Sequence, residues 1–450
     1  MTSTACILLL GLGAATATIM QGCNDDRAFT DEQRAVLEGF RLPASPSADP
    51  SNAFADDVRA AVLGKKWYFD TALSGKLGSD NHGLGVNGSL GNAGDVGKIA
   101  CASCHDPAFG GSDHRSRPAA TSLGANYATR NAQSVLNAAY IDLDRGAWQT
   151  WDGRGDSLWG GNLLPLERPT SNNGTRLQLA HVVYDHYKAD YEALFGPLPD
   201  LSDLTRFPAQ GKPGAAEFDA MPTGDQDAVN RVFANIGKAL AAYERRLVST
   251  SFAPSAFDQM LAGDDEAMTP AAIRGARLFI GKAACDDCHR GPAFADQLFH
   301  NIGVPQEGEH LPATDLGRND AIPVVKNSIF NRAGVFSDAP PDDSHLRNLE
   351  QRDSAIGAFK TPTLRNVAKT APYMHDGVYD TLGEVVTHYN SGGAAAANYA
   401  GTREVTISPL LLDSREVDDL VEFLRALDDG EPLPTPDFPE GLVAKPTLPN

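Results

Sequence analysis

Four cysteines and two histidines carry the plainest chemistry in this chain. They form two identically spaced groups, Cys101-Ala102-Ser103-Cys104-His105 and Cys285-Asp286-Asp287-Cys288-His289. In a C-x-x-C-H group the two thiols add to the vinyl groups of a haem, and the adjoining His ligates the iron. Paired C-x-x-C knuckles also hold zinc, and a single one can act as a redox dithiol. A His directly after the second Cys in both copies argues against zinc. The expectation is two covalently bound haem c groups, with His105 and His289 on their irons.

The surroundings of the two groups repeat weakly. Gly-Lys precedes each by four residues, at Gly97-Lys98 and Gly281-Lys282, and Ala-Phe follows each, at Ala108-Phe109 and Ala293-Phe294. This predicts two cytochrome c-like domains with one haem each, at 50–250 and 265–430, joined by a linker over 249–267. The elements that must position the haems read as helices. Residues 225–248 place Val229, Val232, Phe233, Ile236, Leu240, Tyr243 and Leu247 at helical spacing, and 53–69 carry Phe54, Val58, Ala61 and Val62 on one face. Thr269-Pro270 starts a helix reaching Phe279. Thr381…Glu384 and Asp413…Glu416 are capping boxes opening two more, the first ended by Gly392-Gly393. Strand-like alternation is scarce. The predicted fold is mainly α with long loops, notably 74–97 and 303–357, and an extended proline-rich tail at 431–450.

Residues 1–22 read as an export signal, although no Lys or Arg precedes the apolar run. Cys23, followed by Asn24-Asp25-Asp26, resembles a lipoprotein acceptor, so a lipid anchor at Cys23 is expected, with plain secretion as the alternative. Covalent haem is fitted outside the bacterial cytoplasm, which agrees with a periplasmic or cell-envelope location. Over 450 residues, 38 Lys and Arg stand against 58 Asp and Glu, a formal charge of −20. Nucleic acid is excluded as a partner, because phosphate binding needs a basic surface.

The order of landmarks resembles the bacterial di-haem cytochrome c peroxidase and MauG family over roughly residues 55–430. The resemblance rests on Tyr68-Phe69-Asp70 with Leu73-Ser74-Gly75, the first C-x-x-C-H group, Arg130-Asn131-Ala132 and Trp151-Asp152-Gly153-Arg154. After the second group it continues through Phe299-His300-Asn301-Ile302-Gly303, Phe359 to Val367, and Ala371-Pro372-Tyr373-Met374-His375-Asp376-Gly377.

The resemblance implies roles. The family's sixth ligand on the C-terminal haem is Met in the peroxidases and Tyr in the MauG type; the matching position is Tyr389, and Met374, the rival, is expected to be packing. A Met ligand raises the iron potential, whereas a Tyr oxygen favours the oxidised states. Trp151 matches the Trp between the haems. Asn131, Thr370 and Pro372 match the oxygen ligands of an interdomain Ca²⁺, a cation suited to such donors. The stretch 121–129 lacks the His that blocks the N-terminal iron in many of the peroxidases, so peroxide should have direct access. The family's distal Glu is replaced by Ser171 or Asn172. The acid–base work of splitting the O–O bond then falls on Glu167 or is weakened, and Trp159-Gly160-Gly161-Asn162 replaces a polar, Gln-containing segment. His300 is expected near a haem propionate, and His375 and His388 either behind Tyr389 or in solvent. His82, His114, His181, His186, His310 and His345 are expected at the surface.

Three functions follow. The first is a MauG-type enzyme that takes hydrogen peroxide at the N-terminal haem and relays oxidising equivalents through Trp151 to the His289/Tyr389 haem, and on to a redox protein or protein substrate. The second is a cytochrome c peroxidase drawing electrons from a small c-type cytochrome. The third is a non-catalytic di-haem electron carrier.

Overall fold

The computed structural model describes residues 29–116, 121–140, 143–251, 253–395 and 398–430. The expected export segment, Cys23 and the tail 431–450 lie outside them. Helices dominate. The first half of the chain folds into α1 (Asp31–Glu38), α2 (Val58–Phe69), α3 (Leu158–Leu163), α4 (Arg176–Phe195), α5 (Ala216–Asp219) and α6 (Thr223–Glu244). The second half adds α7 (Ala256–Leu261), α8 (Pro270–Phe279), α9 (Arg318–Asn327), α10 (Ser344–Arg347), α11 (Leu382–Asn390) and α12 (Ser414–Arg425). One short antiparallel pair, β1 (Phe299–His300) and β2 (Phe359–Lys360), ties Phe299 to Lys360 and His300 to Phe359.

The buried apolar side chains separate into two principal clusters. One draws on α2, α3, α4 and α6, with Trp67, Tyr68, Trp159, Phe233 and Tyr243 among its members. The other draws on α7, α8, α11 and α12 around Phe257, Phe279, Phe294 and Phe423. Each is organised by a pair of crossing helices, α2 over α6 and α8 over α12. Both crossings depend on a glycine. A Cβ on Gly64 of α2 would lie 1.9 Å from the Ala239 carbonyl oxygen of α6, and one on Gly275 of α8 would lie 1.9 Å from that of Asp419 on α12. Backbones this close admit no side chain.

Local signals explain the helix ends. Thr269 accepts from Ala272 N ahead of Pro270, and the boxes Thr381/Glu384 and Asp413/Glu416 are both formed. The α2 helix starts at Val58 rather than 53, because Asp57 takes the cap and accepts from Arg59 N. Phe54 instead packs edge-on to Phe195 at 4.6 Å.

Three segments differ from expectation. The stretch 303–357 contains α9 and α10; burial of Ala321, Ile322 and Val325 holds α9 despite Pro323. The expected linker contains α7, capped by Ser255 and anchored by Phe257 and Met260. The helix α1 precedes the first expected domain, yet Leu37 and Phe40 belong to the second cluster. Phe40 stacks on Phe294 at 4.5 Å between centroids. Among the described residues, no helix is long and apolar enough to cross a membrane.

Candidate active site

The two C-x-x-C-H groups adopt one local geometry. Each opens with a short 3-10 turn, Cys101–Ser103 and Cys285–Asp287. The His amide then bonds back to the first Cys carbonyl, His105 to Cys101 at 3.0 Å and His289 to Cys285 at 2.8 Å. Each imidazole has Nδ1 on a main-chain carbonyl, His105 on Gln133 at 2.7 Å and His289 on Phe294 at 2.8 Å. A carbonyl can only accept, so Nδ1 carries the proton and Nε2 is left with its lone pair, the form that ligates a metal. Burial favours the neutral ring in both. All four thiols are free, and burial pushes those of Cys101, Cys104 and Cys285 up to about 12.

A cavity of about 550 Å³ lies over the second group. Cys285, Cys288 and His289 line it together with Tyr389, Met374 and Trp151. Tyr389 comes from the last turn of α11, and its hydroxyl has no hydrogen-bond partner among the described residues. Burial, and then the Cys285 and Cys288 thiols, push the phenol's pKa up. Met374 sits in a turn at φ 71°, stabilised by the Gly377 N–H on its carbonyl at 3.3 Å. Lys360 also lines the cavity outside any ion pair among the described residues, and burial, opposed by the charge of Asp296, lowers it to about 8. Two thiols, a neutral imidazole facing an apolar void and an unpaired cation fit a haem with its anionic propionates. Arg168, near Asp152 and Arg154, is likewise outside any ion pair among the described residues. Burial and then the repulsion of Arg154 lower it to about 10, so an anion would fit there too.

Trp151 lines the cavity of the second group. Its indole N–H donates to the Asn131 carbonyl at 2.9 Å, its own carbonyl accepts from Lys360 N at 2.7 Å, and its ring meets that of His375 edge-on at 6.4 Å. The neighbouring Asp152 is fully buried between Arg130 (2.5 Å) and Arg154. Arg130 also grips Asp315 with two bonds of 2.7 Å. Arg318 donates to the Gly153 carbonyl at 2.6 Å. Segments distant in sequence thus fix the Trp151 loop.

Asn131 and Pro372 meet: the Asn131 carboxamide lies 3.0 Å from the Pro372 carbonyl oxygen, and Asn131 N donates to His375 O at 2.7 Å. Thr370 lines the same cavity, with its hydroxyl turned to Val367 O at 2.9 Å. Asn131 and Pro372 are therefore in contact where the sequence expects Ca²⁺, but the Asn131 nitrogen faces Pro372 O while its oxygen accepts from Ser116 and Ser122.

Around the first group, Ser171 lies against the 121–127 loop: Ala125 N donates to Ser171 O at 2.7 Å. Glu167, however, is already committed. Arg176 binds both its oxygens, at 2.7 and 3.1 Å, and its Oε1 also accepts from Arg176 N at 2.8 Å. It anchors the start of α4, and the structure gives it no free oxygen for proton transfer.

Several histidines depart from expectation. His345 is not at the surface: its Nε2 meets the buried Asp156 at 2.8 Å, with 10% of its side chain exposed. His375 is buried, stacked on Phe359 at 3.7 Å, and burial depresses it to about 3. His388 is buried too and bonds the hydroxyl of Tyr379 at 2.9 Å, not Tyr389. His300 lies between Asp296 and Glu404.

A family model described as di-haem cytochrome c peroxidase matches residues 59–266. A cytochrome-c peroxidase of Denitromonas iodatirespirans is 31% identical over 399 residues, covering 87% of this chain and 86% of the relative. The chain belongs to the di-haem cytochrome c peroxidase and MauG family. The methylamine utilization protein MauG of Methylorubrum extorquens is 30% identical over 415 residues, 92% of this chain and 88% of that protein. The diheme peroxidase BthA of Burkholderia thailandensis shares the fold, with a TM-score of 0.59 at 24% identity over 87% of this chain and 92% of that one. As a member of this di-haem family, the protein is an oxidoreductase acting on peroxide, with haem c as its cofactor.

Sequence reasoning missed Arg168 and Lys360. The signal for Arg168 and Lys360 is a partly buried cation outside any ion pair, which only the folded chain reveals.

Proposed function

We propose that this protein is a MauG-type di-haem enzyme, with one covalent haem in each helical unit. Hydrogen peroxide reacts beside His105, and oxidising equivalents pass by way of Trp151 to the haem held by Cys285, Cys288 and His289. The bound haems supply the iron redox chemistry. The chain supplies two neutral imidazoles fixed by carbonyls, cationic Arg168 and Lys360 for the propionates, and an aromatic side chain clamped between the two sites. The observation that carries the reading is Tyr389. Its phenol enters the cavity of His289 beside both attachment thiols, and an oxygen donor there favours the oxidised states of the iron. Met374 lines the same cavity from a tight turn, as packing against the apolar void.

The absence of a histidine between residues 121 and 129 supports direct access of peroxide to the first haem. Asn131, Thr370 and Pro372 would hold a Ca²⁺ joining the Arg130–Ala132 segment to the second unit. An export signal at 1–22 would send the enzyme to the periplasm or cell envelope, with Cys23 as its lipid anchor, and its acidic charge favours a redox protein or protein substrate with a basic face.

The deciding experiment adds one equivalent of hydrogen peroxide to the diferric holoprotein and follows its absorption. This reading expects both haem spectra to change without any added reductant and then to return. A response only after one-electron reduction, with steady turnover of reduced cytochrome c, would establish the cytochrome c peroxidase reading instead. No response in either state would leave an electron carrier.

A further inference from the structure

Trp151 shares the wall of the second cavity with another tryptophan three residues earlier, Trp148. Their surroundings differ. Trp148 is 6% exposed and packs with Val325 of α9 and Leu346 of α10. The guanidinium carbon of Arg318 stands 4.0 Å from the Trp148 ring centroid and 4.1 Å from that of Phe299, so the cation is sandwiched between two aromatic faces. Arg318 is 4% exposed, and its Nη1 donates to the carbonyls of Asp152 and Gly153 at 3.1 and 2.6 Å. It makes no salt bridge among the described residues. Burial lowers it to about 10, opposed by Asp152, so it stays charged at neutral pH. Among the described residues no Lys or Arg stands over the Trp151 ring, and its edge-on neighbour His375 is kept neutral by burial.

We propose that Arg318 decides which tryptophan carries oxidising equivalents: its cation holds Trp148 out of the relay and leaves the path to Trp151. The proposal rests on the reading that the relay passes through Trp151. An indole that gives up an electron becomes a cation. Beside a desolvated guanidinium that product suffers like-charge repulsion, while the neutral ring is favoured by cation–π attraction. Both effects make Trp148 harder to oxidise. At Trp151 the indole N–H donates to the Asn131 carbonyl, a bond that strengthens when the donor turns cationic.

Without Arg318, Trp148 would open a side exit toward α10, whose His345 ring lies 6.0 Å away. The electron balance shows what that exit costs. An indole on the relay loses one electron to the oxidised centre and regains one from the reductant. An indole left without reductant gives up a second electron, adds the oxygen of one water and sheds two protons. It ends as hydroxytryptophan.

That product marks where electrons were lost. The tryptic peptide Gly146–Arg154 carries both indoles, so its fragment masses give their ratio. Two oxidants are applied to the holoprotein without reductant. Hydrogen peroxide acts by way of the haems; photo-oxidised ruthenium tris-bipyridine with persulfate takes electrons from indoles directly. With both, the parent should be marked at Trp151 above Trp148. Arg318→Gln should raise the Trp148-to-Trp151 ratio roughly ten-fold or more, as loss of a desolvated unit charge at 4.0 Å allows. Arg318→Lys keeps the charge without the planar fork and should hold the ratio near the parent's. An unchanged ratio in Arg318→Gln would overturn the proposal. A ratio raised equally by Arg318→Lys would do so too, because loosening of the Trp151 loop would then be the cause. Should Arg318→Gln not fold, the parent under peroxide decides: Trp148 marked as heavily as Trp151 would overturn the proposal. A ratio that shifts under ruthenium in a protein whose indoles peroxide never marks would uphold the role of Arg318 and sink the relay reading. Peroxide marking of Trp151 with unmoved ratios in Arg318→Gln would do the reverse.

Discussion

The indole nitrogen of Trp151 donates to the carbonyl oxygen of Asn131 at 2.9 Å. The same Asn131 reaches Pro372 with its carboxamide and His375 with its amide N–H, at 3.0 and 2.7 Å. Trp151, on the wall of the second cavity, is thus fastened through Asn131 to the Pro372–His375 turn.

That arrangement makes Asn131→Ala informative. Its side chain accepts from Ser116 and Ser122 and meets Pro372. At about 1 kcal/mol per hydrogen bond, the loss should destabilise the holoprotein by roughly 2–3 kcal/mol in denaturant titration. If Ca²⁺ binds there, adding it should raise the Tm of the parent and not of the variant. Equal responses to Ca²⁺ would remove Asn131 from the cation site.

Tyr389→Met tests the ligand assignment. A thioether stabilises the reduced iron relative to a phenol oxygen. Potentiometric titration should show one haem rising by roughly 0.1 V or more, within the ~0.8 V range that axial ligands span, and the other haem unmoved. A potential unchanged in Tyr389→Met but altered in Met374→Leu would give the iron to Met374.

Much of this site was readable before folding, because its signals are local. C-x-x-C-H spacing fixes thiols and imidazole within one turn, and the capping boxes at Thr381 and Asp413 fix helix starts within four residues. What stayed hidden is non-local. Nothing near Glu167 announces Arg176 nine residues on as its clamp. His345 pairs with Asp156 across 189 positions. The helix within 249–267 was missed for a different reason: α7 is six residues long, and its three buried residues give too little periodicity to separate helix from loop.

The two glycines at the helix crossings test the division into two haem units. An added methyl 1.9 Å from a carbonyl oxygen must push the helices apart, at a cost of about 1–3 kcal/mol. Gly64→Ala should loosen the α2/α6 unit and disturb the spectrum of the His105 haem. Gly275→Ala should loosen the α8/α12 unit and disturb that of the His289 haem. If either substitution disturbed both haems equally, the units would not be separate folding entities.

The last prediction concerns Asp152 and acid. Burial alone would raise its carboxyl, but Arg154 and Arg130 outweigh burial and hold it well below the ordinary 3.8. The unfolded chain therefore takes up this proton first as pH falls. The stabilisation is fully present above the unfolded value and is lost as pH falls through it toward the folded one. Asp152→Asn removes the charge while nearly keeping the shape, leaving two arginines facing a neutral amide. Breaking a buried ion pair from one side costs about 3–5 kcal/mol. Chemical denaturation should show a parent-to-variant gap of that order, flat above about pH 5, where the unfolded carboxyl is ionised, and narrowing below pH 3.8. A gap still constant at pH 3 would mean that Asp152 stabilises the Trp151 loop through its hydrogen bonds alone.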